Sequence, residues 1–281
     1  MKAIANGIAQ FYVRAGDGPP LVLIHALGLS HHLWDDLVPL LAGACQVISY
    51  DVRGHGESDV PPGPYAMADF AEDLAGLLDA LGVESAHLAG ISMGGMIAQE
   101  FVLTWPWRVR SLVLADTTSE YHQEARRQLA ERARIAEERG TRPLVEPTID
   151  RWFTPEFRLS QPVPVEHIRN LLERAYPQGY AASCRAIAGA EWTERLVGVT
   201  APTTVLVGAE DTSTPIEMAL KIHEHIPGSR YEVIPLAAHL TCVSQPSEFA
   251  SAVLSTVKAA EPGVTAESTE PDVLSEEPEE S

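Results

Sequence analysis

The 281-residue chain predicts an α/β fold, a doubly wound and mostly parallel sheet with a helical lid inserted between two core strands. Three observations carry this reading. From residue 20, short apolar runs rich in Val, Leu and Ile alternate with amphipathic helical patterns. The runs are continuously apolar rather than alternating, as expected of strands covered on both faces. The alternation breaks once, between residues 118 and 196, where only helical patterning is found.

Taken in order, "IAQFYVRAG" reads as an edge strand, antiparallel to the others. "PLVLIHALG", "CQVISYD", "SAHLAGIS", "VRSLVLADTT", "PTTVLVGAED" and "RYEVIPLAAH" read as buried strands. Between them, "MADFAEDLAGLLDALG", "GGMIAQEFVLTW", "IEMALKIHEHIPG" and "EFASAVLSTVKAA" carry the i, i+3, i+4 spacing of helices with one apolar face. The core then comprises residues 1–117 and 197–259, and the lid residues 118–196. No internal repeat interrupts the plan, and a single α/β domain accommodates this length.

Composition removes several function classes. Hydrophobic residues make up 45% and charged residues 21%, ordinary for a globular protein. No run of about 18 apolar residues is present, so no membrane span is expected. The N-terminus lacks the continuous apolar segment of a signal peptide. Cys45, Cys184 and Cys242 are odd in number and widely spaced, which fits neither a disulfide framework nor a zinc site and suits the reducing cytoplasm. The formal net charge of −19 makes nucleic acid an improbable partner. Residues 260–281 hold eight acidic residues and no Lys or Arg; too polar to offset the entropy of ordering, they are expected to form a disordered acidic tail.

Chemistry concentrates in "LAGISMGGMIAQE", residues 88–100. Glycine weakens both strands and helices, so three of them around one serine demand a geometric reason. The pattern Gly90-x-Ser92-x-Gly94 supplies one: a tight strand–turn–helix that projects Ser92 at the carboxyl end of the sheet. The helix N-terminus beside it offers unpaired N–H groups to a developing oxyanion. A serine hydroxyl attacks only if a base removes its proton, and the base needs an orienting acid. Downstream, "TVLVGAEDTSTP" ends a strand with Glu210 and Asp211, and "YEVIPLAAHLTC" ends one with His239. Asp211, deeper in its loop, is preferred to Glu210. The order Ser92, Asp211, His239, each after its own strand, is that of a hydrolase triad. The oxyanion donors are expected at the backbone N–H groups of Met93 and Leu27. His25 is read as a pocket residue that shapes its loop rather than as a second base. Asp51, Arg53 and His55 of "DVRGHGES" read as a structural turn.

These residues resemble the α/β-hydrolase superfamily and, more narrowly, the 3-oxoadipate enol-lactonases. The shared superfamily features are Asp51 to Ser58, the Ser92 elbow and the late Asp and His. Closer to the enol-lactonases are "DVPPGPY" (59–65), "RWFTP" (151–155), "GYAA" (179–182) and "AAHL" (237–240). The resemblance spans roughly residues 8–258. It implies an α/β-hydrolase fold and cofactor-free hydrolysis of a small enol-lactone through Ser92, Asp211 and His239. Departures fall at His25-Ala26-Leu27-Gly28, at "GTRP" (140–143), at "GAEWTERL" (189–196) and at Ser244-Gln245-Pro246, all outside the triad. Trp152 and Phe153 are expected to shape the pocket. A dicarboxylate-like substrate calls for a cation, for which the lid offers Arg126, Arg127, Arg142, Arg151 and Arg185.

Other readings share the same residues. A general carboxylesterase, a cofactor-free perhydrolase or a C–C hydrolase would use the same triad on a different small-molecule substrate. A non-catalytic receptor on this scaffold, or an interaction protein working through the acidic tail, are alternatives of another class.

Overall fold

The computed structural model of the chain describes residues 1–261. Eight strands form one sheet: β1 (Lys2–Ala5), β2 (Ile8–Ala15), β3 (Pro20–Ile24), β4 (Gln46–Tyr50), β5 (Ala86–Ile91), β6 (Val109–Ala115), β7 (Thr203–Gly208) and β8 (Arg230–Ile234). Their spatial order is β1-β2-β4-β3-β5-β6-β7-β8. All neighbours from β4 to β8 pair in parallel, whereas β1–β2 and β2–β4 are antiparallel.

Two expectations change here. "IAQFYVRAG" is antiparallel but is not the edge, because β1 pairs outside it across the Asn6-Gly7 turn. Both turn residues have positive φ, 47° and 78°, the conformation that makes Asn-Gly the favoured two-residue hairpin. β8, read as a buried strand, is the opposite edge; Val233 is 41% exposed because no further strand covers it.

Core strands alternate between two apolar layers. Val22 and Ile24 of β3 face one side, with α2 (Met67–Ala80), α3 (Met93–Thr104) and α9 (Ile216–His225). Leu21 and Leu23 face the other, with the short α1 (Val38–Leu41), Trp34 and α11 (Pro246–Ala260); α10 (Thr241–Ser244) leads into α11. This two-sided burial is why the strands carry no polar alternation.

Between β6 and β7 lie five helices: α4 (Gln123–Arg139), α5 (Arg142–Trp152), α6 (Pro155–Ser160), α7 (Pro162–Glu173) and α8 (Pro177–Ala188). α4 packs on α8 and α5 on α7. The helix α11 continues through Ala260, and Glu261 accepts from His87 Nε2 at 2.9 Å and from Arg110 at 3.2 Å, so these two residues belong with the core. The remaining tail expectation lies outside the described residues. Among those described, no helix is long and apolar enough to cross a membrane.

The "DVRGHGES" segment is a hydrogen-bonded turn. Asp51 Oδ1 accepts the His31 N–H at 2.6 Å and its ring Nδ1 at 2.9 Å, and Oδ2 accepts the Glu57 N–H at 2.8 Å. Arg53 reaches the other way and forks onto Asp73 of α2 through two 2.6 Å contacts, with Asn6 donating to the same carboxylate at 3.0 Å. Both charges are buried, so removing one strands the other. Asp73→Ala is expected to cost about 3 kcal/mol in urea unfolding. An equally stable variant would show that the Arg53 fork does not hold the turn to α2.

Candidate active site

β5 is buried along its whole length and ends at Ile91, and α3 begins at Met93, leaving Ser92 alone to make the turn. Its backbone sits at φ 55°, ψ −118°, a strained conformation for a residue with a Cβ. The glycines around it answer the question that their clustering raises. A Cβ on Gly90 would stand 2.2 Å from the Gly94 carbonyl oxygen, and one on Gly94 would stand 1.9 Å from that of Ile24. A Cβ on Gly95 would meet Thr117 at 2.7 Å. Helix, strand and neighbouring strand ends approach closer than any side chain permits.

Ser92 Oγ lies 2.8 Å from His239 Nε2, and His239 Nδ1 lies 2.8 Å from Asp211 Oδ2. Thr214 donates its hydroxyl to the same Oδ2 at 2.8 Å, while the Ser213 and Thr214 N–H groups donate to Oδ1 at 2.7 and 3.0 Å. Burial works against the charge on Asp211, but His239 and these donors outweigh it and hold its carboxyl below the usual range. A carboxylate so held fixes the imidazole with Nδ1 protonated and Nε2 free to accept from serine. Glu210, the competing acid, points to solvent, while its N–H donates to Ala237 O at 2.9 Å.

The N–H of Met93 heads α3, and that of Leu27 lies in the loop after β3; both residues line the cavity beside Ser92. Among the described residues neither N–H donates to a protein acceptor. The cavity holds about 550 Å³ and extends from Ser92 and His239 up to α4, α5 and α8. Trp152 lines it, its ring centroid 5.8 Å from that of His239.

His25 and Phe153 do not. His25 is fully buried behind the loop, where Nδ1 contacts Ala26 O at 2.8 Å and Nε2 accepts the Val52 N–H at 3.1 Å; burial lowers its pKa, so it acts as a neutral brace. Phe153, extended just beyond the end of α5, stacks on Phe157 at 5.3 Å within the core layer. The arginines also sort themselves. Arg126 pairs with Glu191 and Arg185 with Glu137, Arg142 points to solvent, and Arg127 reaches Glu124 at 3.5 Å. Arg127 lines the cavity together with Glu124 and Glu131; Arg151 lines it too, joined by Arg132, which sequence reasoning passed over. Arg132 stacks over the Tyr180 ring at 5.7 Å and donates to its hydroxyl. Among the described residues no carboxylate lies within 4 Å of either guanidinium. Its signal was present: Arg132 shares the α4 face of Leu129 and Ala136, which are buried, rather than that of the exposed Arg134.

Residues 19–142 match the family described as alpha/beta hydrolase fold. The 3-oxoadipate enol-lactonase 2 of Acinetobacter baylyi is 33% identical over 256 residues, spanning 90% of this chain and 95% of that protein. The chain belongs to the α/β-hydrolase family. The enol-lactonase from Burkholderia xenovorans superposes on this hydrolase with a TM-score of 0.87 at 28% identity, covering 92% of this chain and 99% of that one. A thermophilic esterase from Thermogutta terrifontis, solved with malate bound, superposes with a TM-score of 0.88 at 31% identity, covering 92% and 98%. The protein is a carboxylic ester hydrolase of this family.

The elbow makes a direct prediction. Gly94→Ala is expected to destabilise the hydrolase by at least about 3 kcal/mol or to abolish folding, since the clash is with backbone. Gly43→Ala, whose Cβ would meet nothing within 4 Å, is expected to change urea unfolding by less than about 0.5 kcal/mol. Equal stability of the two variants would contradict the close approach.

Proposed function

We propose that this hydrolase opens a small lactone or ester bearing a carboxylate, through an acyl-enzyme on Ser92. The observation that carries the reading is the unbroken hydrogen-bonded chain from Ser92 through His239 to Asp211 at the floor of the cavity. His239 Nε2 takes the Ser92 proton as Oγ bonds to the carbonyl carbon, and the oxyanion settles on the Leu27 and Met93 N–H groups. Collapse breaks the bond to the leaving oxygen, which receives the proton from His239. A water, deprotonated by His239 in turn, then releases the acid and restores Ser92.

An enol is a good leaving group, and in a lactone it stays tethered to the acyl chain. Helices α4, α5 and α8 act as the lid, with Trp152 excluding water beside His239. The substrate class follows from Arg132 and Arg151. Burial and the charge of Arg132 hold the Arg151 pKa below its ordinary value, as for two neighbouring cations with no carboxylate within 4 Å among the described residues. A substrate carboxylate completes that arrangement. The names of the Acinetobacter and Burkholderia enol-lactonases and the malate bound to the Thermogutta esterase support an acid-bearing substrate, and 3-oxoadipate enol-lactone is the first to test.

With that lactone, Ser92→Ala is expected to lower kcat by roughly 10⁴-fold or more. Arg132→Met is expected to raise KM about 10- to 100-fold for the acid-bearing lactone and to leave a neutral p-nitrophenyl ester nearly unaffected. Full turnover by Ser92→Ala would sink the acyl-enzyme. An equal effect of Arg132→Met on both substrates would remove the carboxylate from the reading.

A further inference from the structure

The last residue of β6 and the two that follow bond to Ser92 and to the segments that carry Asp211 and His239. Ala115 O accepts the Ser92 N–H at 2.9 Å, and the Thr117 hydroxyl donates to Ser92 O at 2.7 Å. Between them stands Asp116, fully buried, at φ 45°, a conformation that Asp and Asn adopt more readily than other residues with a Cβ. Its N–H donates to Leu206 O at 2.9 Å. Its Oδ1 accepts the Gly208 N–H at 2.9 Å, and its Oδ2 accepts the Thr241 N–H at 3.1 Å and the Thr241 hydroxyl at 2.7 Å. Gly208 closes β7, and its carbonyl takes the Asp211 N–H at 3.1 Å. Thr241 lies two residues beyond His239 and is itself fully buried.

We propose that Asp116 is a positioning residue for the hydrolysis: its carboxylate clamps the loop carrying Asp211 to the loop carrying His239, while its two neighbours hold Ser92 in register. The proposal rests on reading Ser92, His239 and Asp211 as the relay. Three donors converge on the carboxylate, an arrangement suited to the anion. A neutral side chain of the same shape turns a donor toward Gly208 or Thr241 and pushes one loop away. The ionisable groups around it are Asp211 from the β7 loop, His239 from the β8 loop and the Cys242 thiol of α10. Burial, with the charge of Asp211, pushes the Asp116 pKa up to about 7, against the pull of His239 and the Thr241 donors. As pH falls through neutrality Asp116 takes up a proton and the clamp loosens, so the clamp adds its own loss of activity on the acid side.

The test compares kcat and KM from pH 5 to 9 on one p-nitrophenyl ester, together with Tm, for wild type, Asp116→Asn, Thr241→Val, Thr241→Ser and Ser92→Ala. Asp116→Asn keeps the backbone conformation and is expected to lose roughly 30-fold in kcat with KM within about two-fold, as for a misplacement of reacting groups. The acid limb of its log kcat/KM profile should be less steep than that of wild type. Thr241→Val should lose part of the rate, Thr241→Ser should regain it, and the Asp116→Asn/Thr241→Val pair should be no slower than Asp116→Asn alone. Wild-type kcat and slope in Asp116→Asn, or a lower Tm with unchanged kcat, overturns the proposal. If Asp116→Asn does not fold, equal kcat in Thr241→Val and Thr241→Ser overturns it instead. Activity retained by Ser92→Ala defeats the relay reading itself, a failure distinct from that of the clamp.

Discussion

A single residue between β5 and α3 is too short a connection for a chain in which every position carries a side chain. It closes here because Gly94 lets the first turn of α3 pass under the Ile24 carbonyl and Gly90 lets the strand end pass under Gly94. That close approach sets where β3, β5 and α3 end relative to one another. It therefore also sets where the loop bearing Leu27, the head of α3 and Ser92 meet. The strained Ser92 backbone is held by two hydrogen bonds, its N–H to Ala115 O and its carbonyl from the Thr117 hydroxyl. Parallel strands all finish on one side of the sheet, so the loops carrying Asp211 and His239 arrive at the same place.

Charge is handled in three ways within a short distance. Asp211 is buried but surrounded by donors and stays anionic. Arg53 and Asp73 are buried as a forked pair and serve only to fasten a turn to α2. Arg132 and Arg151 line the cavity, and among the described residues neither has a carboxylate within 4 Å. Ion pairing separates the last case from the first two, and it also separates Arg151 from Arg126 and Arg185, whose guanidiniums are taken by Glu191 and Glu137. Exposed pairs of that kind add little stability.

The order and character of the strands, the helices around them and the residues Ser92, Asp211 and His239 were legible in the linear chain. Each is announced by a local signal: continuous apolar runs, helical periodicity, glycine spacing, a polar residue closing a strand. The family resemblance was equally legible, because it rests on short motifs. β1 was not, although the Asn6-Gly7 dipeptide was there to mark its hairpin; at four residues the strand is too short to register as an apolar run.

Which side of a helix or loop meets the cavity was decided only in three dimensions. Trp152 and Phe153 are adjacent, aromatic and buried in the same apolar layer, yet only Trp152 reaches the cavity, because α5 ends at Trp152 and the chain turns extended at Phe153. His25 and Asp116 follow strands as plainly as Asp211 does. One became a neutral brace and the other a clamp because of the N–H groups that partners distant in sequence direct at them. Local pattern thus determined the fold and the identity of the candidate site residues. Tertiary packing decided pairing, burial and charge, which depend on neighbours that the linear chain keeps far apart.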